Sequence, residues 1–287
     1  MARIPRCMCK DCNANGIIAV PMAKRGERNG FMCEFHAYQK LAYSRENSLH
    51  YGKAKKHGFT YSEENETRRT TLKARAELED FGFIPTDDCT VDVEYKSPIF
   101  EGLNAISKQC VSFEKLIANG DMVIDHTCGT HFHVGHTEYI NATTMRYLRR
   151  FNNSLFVPLS NAIMADVAKS EKLFGRRPNH WAEPITMSDY SGNVEGWMMK
   201  HEAMFNLQHD YTIEFRQAKF VSAEQYMRMA HFTTDVVKTI INNFVKHFND
   251  REWDTRRYPT ITDYRRHKAN VTASKLVKLY EEYTENL

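Results

Sequence analysis

The sequence lacks any stretch of eighteen or more apolar residues, so no helical membrane span is expected. Residues Met1 to Cys12 carry no apolar core of the kind a secretory signal needs, and a cytoplasmic location without membrane attachment is the expectation. An excess of one charge is missing as well. The net charge is +3, too small to imply a polyanionic partner, and the basic runs Lys53 to Lys56 and Arg256 to Arg266 read as solvated surface. Nucleic acid is therefore not an expected partner. Internal repeats and low-complexity tracts are also absent, which excludes a solenoid and a compositionally biased chain.

What is present is an ordinary globular composition. A chain of 287 residues, 42% hydrophobic and 26% charged, can bury one large domain and carry a small appendage. Four of the seven cysteines crowd into the first 33 residues, and without a secretory signal that clustering favours a metal over disulfides. Cys9-x-x-Cys12 and Cys33-x-x-His36 have the spacing of two knuckles that close on one tetrahedral zinc, with a hairpin between them. Four protein ligands leave no open position, so this Zn2+ would be structural; Cys7 could replace Cys9. The expected organisation is a zinc-binding module over 1–42, a polar linker over 43–56, a catalytic domain over 57–250 and a helical extension over 251–287.

Strands are expected over Phe59 to Thr67, Phe83 to Ser97, His126 to Val134 and Asp210 to Arg216. Helices are expected over Arg68 to Asp80, Gly102 to Ala118, Thr143 to Leu173 with an interruption at Pro158, a long helix after a Ser222/Gln225 capping box, and Ala273 to Thr284.

Period two carries the chemistry. In Cys128-Gly-Thr-His-Phe-His-Val-Gly135, a strand sends His131 and His133 to one face and Phe132 and Val134 to the other. In Tyr211-Thr-Ile-Glu-Phe-Arg216, Glu214 and Arg216 likewise share a face. Glu64 and Glu66 on the first strand, and Glu94 on the second, add carboxylates that would repel one another unless cations sat among them. Magnesium prefers such oxygen ligands and brings nucleotide phosphates with it, which Arg216 could neutralise. The opposite face of the first strand carries Glu63 and Asn65, which an edge position would accommodate. Glu77 and Glu79 form a competing acidic pair, but their run looks helical. Cys128 is expected to be structural, and Arg176, Arg177 and His180 to belong to an exposed loop with a chance of meeting phosphate.

The ordered set Glu64-x-Glu66, Asp88 to Pro98 containing Glu94, Cys128-Gly-Thr-His131-Phe-His133 and Ile213-Glu214-Phe-Arg216 resembles the amidoligase family, a carboxylate-amine ligase group with a glutamine-synthetase-like catalytic fold. The resemblance spans roughly residues 57 to 250. It implies an α+β fold with a curved, largely antiparallel sheet, the site on one face and helices on the other. It also implies ATP-dependent joining of a carboxylate to an amine or ammonia through an acyl phosphate. Glu64, Glu66, Glu94, His131 and Glu214 would be Mg2+ ligands, His133 a substrate or outer contact, and Arg216 the phosphate ligand. The substrates could be small molecules, a peptide or a protein; oligomeric state is left open. Members often occur in phages, which would place the protein in a host cytoplasm. A metal-dependent hydrolase using the same His/Glu cluster and a non-catalytic zinc adaptor are the competing expectations.

Overall fold

The computed structural model describes residues 58–86, 91–178, 182, 203–248, 250, 253–285 and 287, together with the backbone of 18–20 and 30–32. Cys7, Cys9, Cys12, Cys33, His36, the 43–56 linker, Asp88 and His180 lie outside the described residues. Between the two expected knuckles, β1 (Ile18–Val20) pairs antiparallel with β2 (Gly30–Met32), Ala19 opposite Phe31.

The rest is an α+β domain around one six-stranded sheet. Its strands are β3 (Phe59–Thr67), β4 (Ile84–Thr86), β5 (Val93–Lys96), β6 (Thr130–His136), β7 (Phe205–Asn206) and β8 (Thr212–Ala218). They lie in the order β4-β5-β3-β6-β8-β7, and every neighbouring pair is antiparallel. Seven helices are described: α1 (Leu72–Asp80), α2 (Leu103–Ala118), α3 (Ala142–Arg150), α4 (Asn152–Ala165), α5 (Val167–Phe174), α6 (Ala223–Asn243) and α7 (Ile261–Thr284).

Several local expectations are corrected. The run Phe83 to Ser97 is not one strand but two, β4 and β5, paired with each other, and Pro85 sits on the edge strand, where its missing N–H costs no inner ladder bond. The strand at 126 starts later because Asp125 folds the chain into a turn, accepting from Thr127 N at 2.8 Å and from its hydroxyl at 2.6 Å. Arg69, at φ 49°, and the Thr71 cap delay α1 to Leu72. Pro158 does not break its helix; it lies inside α4. The breaks fall instead at Phe151 and at Asp166, which leaves helical geometry and caps α5 through Lys169 N. Ser222 caps α6 as expected, but the Gln225 amide bonds the Leu173 carbonyl at 2.6 Å, so the reciprocal half of that box is missing. A full capping box forms at Thr260 and Asp263, and α7 therefore begins twelve residues before the expected Ala273. Its Ala269, Leu276 and Tyr280 join the same buried core as the sheet, so the expected extension is part of the domain's packing.

One face of the sheet makes that core. Tyr61, Phe132, Val134, Ile213 and Phe215 alternate inward, and α6 packs on them, with Tyr226 edge-on to Phe132 at 6.0 Å between ring centroids. The strand carrying Glu63 and Asn65 is not an edge strand: β3 lies between β5 and β6. Buried partners replace solvent there. Asn65 Nδ2 and Gln109 Nε2 donate to Glu63 Oε2 at 2.8 and 2.7 Å, and Thr130 Oγ1 donates to Asn65 Oδ1 at 2.9 Å.

Candidate functional site

The opposite face gathers the polar residues. Register sets Glu64 across from Lys96 on one side and His131 on the other, Glu66 across from Glu94, and His133 across from Glu214. Period two holds over Glu94 to Lys96, Glu64 to Glu66, His131 to His133 and Glu214 to Arg216, so these acids, imidazoles and cations meet on one surface, although the β6/β8 register shifts between Thr130 and Phe132.

Glu64 is at the hub. Its Oε1 lies 3.1 Å from Lys96 Nζ and 3.9 Å from His133 Nε2, and its Oε2 lies 3.0 Å from His131 Nδ1. Lys96 also reaches Glu94 Oε2 at 3.5 Å, which Thr86 Oγ1 holds at 3.2 Å. Glu66 accepts from Gly129 N at 2.6 Å and stands 3.8 Å from His131 Nε2. On β8, Arg216 donates to Glu214 Oε1 at 2.7 Å and lies 3.4 Å from His131 Nδ1. The far oxygen of Glu214 receives Asn206 Nδ2 at 2.6 Å and His209 Nε2 at 3.0 Å.

Arg176 enters from the end of α5. Gly175, at φ 80°, makes the left-handed turn that aims it, and a Cβ there would stand 2.2 Å from the Lys219 carbonyl, so only glycine fits. Arg176 donates to the Arg216 carbonyl at 3.1 Å and fills the space above Gly129, where a Cβ would meet its guanidinium at 2.6 Å. Arg177, by contrast, is exposed and pairs with Glu171.

The electrostatics follow from these contacts. Burial works to raise the Glu64 carboxyl, but the His131 hydrogen bond and the charges of Lys96, His133 and His131 hold it well below the usual carboxylate range. For Glu214, burial is likewise outweighed by His209, His133, His131 and Arg216, which hold it far below that range. Burial would lower His131 and His209, yet their hydrogen bonds to Glu64 and Glu214 raise both. Burial lowers Arg176 to about 10, with Glu66 opposing and Arg216 adding to the fall. Burial raises the Cys128 thiol above its ordinary value, away from the reactive thiolate.

Among the described residues, two groups of side chains have ligand atoms close enough to hold an ion: Glu64, Glu94 and His131, and His133, His209 and Glu214, each with its donors within 4.8 Å of one another. Glu64, Glu94 and His131 thus converge as the sequence suggests, and carboxylates with one imidazole suit a hard divalent ion. Glu66 and Glu214 stand outside that group, and His133 is placed with Glu214 as a donor. The competing pair is elsewhere: Glu77 and Glu79 lie on α1, with Glu79 bound to Arg75 at 2.9 Å.

Four site residues are absent from the sequence-level site. Lys96 was legible, since it shares a strand face with Glu94 two residues away. Arg176 was legible only as a basic loop residue. Asn206 and His209 have no local signal, because a short strand and the turn after it bring them in. No protein-family model matches this chain, and no curated protein matches it.

Proposed function

We propose that the protein is an ATP-dependent carboxylate-amine ligase with a glutamine-synthetase-like catalytic sheet. The observation that carries this reading is the interleaving of acids, imidazoles and guanidinium on one face, buried to half-buried, of four adjacent strands: Glu94 and Lys96, Glu64 and Glu66, His131 and His133, Glu214 and Arg216. Phosphoryl transfer asks the protein mainly to position and neutralise charge, and such a face supplies both signs within a few ångströms.

In this reading Glu64, Glu94 and His131 would hold magnesium, whose charge would offset that of the nucleotide phosphates. Arg216, and Arg176 whose guanidinium bonds the Arg216 carbonyl, would supply fixed positive charge for the transferring phosphoryl group. Glu66 is pinned by Gly129 N and holds Arg176 and His131 in place by its charge. A carboxylate oxygen of the substrate would attack the terminal phosphorus as the bond to ADP breaks, and a neutral amine would then attack the acyl carbon, expelling phosphate, which takes up the proton the amine loses. A structural zinc in the 1–42 module is part of the same proposal, as is a cytoplasmic setting.

The test needs no known substrate. A non-hydrolysable ATP analogue with magnesium, at about a hundredfold excess over its dissociation constant, is expected to raise the melting midpoint by roughly 5 °C in the wild type. The Glu64→Ala/Glu66→Ala variant should lose that shift. A folded wild type that shows no magnesium-dependent shift would overturn the ligase reading.

A further inference from the structure

We infer that His133, His209 and Glu214 form a second metal position, selective for a borderline ion of the zinc type and open to one exogenous ligand. Two imidazoles and one carboxylate are a donor set for zinc or cobalt rather than magnesium, which is a hard ion with little use for nitrogen. Three protein ligands leave a coordination position for water or an anionic oxygen, the pattern of a reactive site rather than a structural one.

The three donors are already held for this task. His133 is fully buried on β6, and Thr212 Oγ1 lies 3.3 Å from its Nδ1, which leaves Nε2 as the nitrogen on the side of the cluster. Such an outer hydrogen bond on the second ring nitrogen orients a histidine ligand and sets its tautomer. Glu214 is 1% exposed and is clamped on both oxygens, by Arg216 and by Asn206. His209 comes from the turn between β7 and β8, its ring 5.0 Å from that of His133 between centroids and its Nε2 3.0 Å from Glu214 Oε2. Its side chain is 42% exposed, so it is the donor through which an ion arriving from solvent is captured. This position abuts the oxygen-rich group, since His133 Nε2 is 3.9 Å from Glu64 and His131 Nδ1 is 3.5 Å from Glu214. The inference rests on the same sheet face as the ligase reading but does not require a nucleotide.

Full-length protein, stripped by chelator and reloaded with zinc, tests it through metal content and chelator competition in the wild type and in His209→Ala. His209 lies in a partly exposed turn, so the variant should fold, which its metal-free melting curve checks. The expected result is the loss of about one bound equivalent in His209→Ala, while Asn206→Ala, which removes one hydrogen bond from Glu214 Oε2, keeps the equivalent at roughly 10- to 100-fold weaker affinity. Identical zinc content and affinity in wild type and His209→Ala would overturn the inference, because any zinc then present is held elsewhere in the chain. Magnesium-nucleotide stabilisation measured on the same samples separates the two ideas: a wild type that shows the nucleotide shift but binds no more zinc than His209→Ala refutes only the second metal position.

Discussion

On β3, two consecutive glutamates face opposite sides of the sheet, Glu63 buried and Glu64 largely so, with 13% of its side chain exposed. Glu63 points into the core, where neutral amides from Asn65 and Gln109 are its donors. Burial raises its carboxyl, and those hydrogen bonds offset only part of the rise. Glu64 points the other way, to Lys96 and His131, and is held well below the usual range although burial opposes it. Burial is therefore common to both sides, and the partners decide the charge. The core side shifts its acid toward the neutral form, and the site side shifts its acid toward the anion that a cation would meet.

The largest expected effect comes from stripping fixed charge from the site side. Arg216→Ala should cut nucleotide-dependent turnover by roughly a thousandfold, followed as ADP release once a substrate pair is found. Near-normal turnover would mean that the site side is charged for stability alone.

A smaller effect is expected from Lys96→Met, which takes one cation from Glu64 and leaves a partly buried anion short of a partner. Denaturant unfolding at pH 7 should show a loss of about 2 kcal/mol, partly recovered by added magnesium if an ion takes the place of the ammonium. No recovery with magnesium would argue against an ion at Glu64.

The smallest effect sharpens the contrast between the two acids. The folded-state pKa of Glu63 stands above its unfolded value, so the unfolded chain ionises first as pH rises. Glu63 then withdraws stability progressively from the ordinary carboxylate range up to its raised folded value. Glu64 has the opposite sign: its lowered pKa contributes stability above the unfolded value, lost as pH falls through the folded one. Glu63→Gln keeps the hydrogen-bonding shape without the titration, and should raise the melting midpoint by a few degrees at pH 8 but not at pH 4. An equal difference at both values would show that Glu63 does not titrate with folding.

Much of the site side was legible because alternation is local. His131 with His133, Glu214 with Arg216, and Glu64 with Glu66 each follow from two residues on one strand, whatever the strand pairs with. The core side was less legible. Glu63 and Asn65 break the apolar row and suggest an edge, and nothing near them in the chain announces that Gln109 on α2 and Thr130 on β6 supply their partners. Pro158 misled for a related reason: a proline signals a break, but packing around α4 carries it inside the helix.

By itself the sequence determined which side chains share a strand face, where α6 is capped, and that one large domain exists, since these depend on residue spacing and short-range hydrogen bonds. Only the tertiary structure decided the neighbours. Strand order put β3 in the sheet interior, register set Glu64 between Lys96 and His131, the Gly175 turn delivered Arg176, and β7 with its turn delivered Asn206 and His209. Those placements join residues distant in sequence, whose meeting is set by the packing of the whole core rather than by any local pattern.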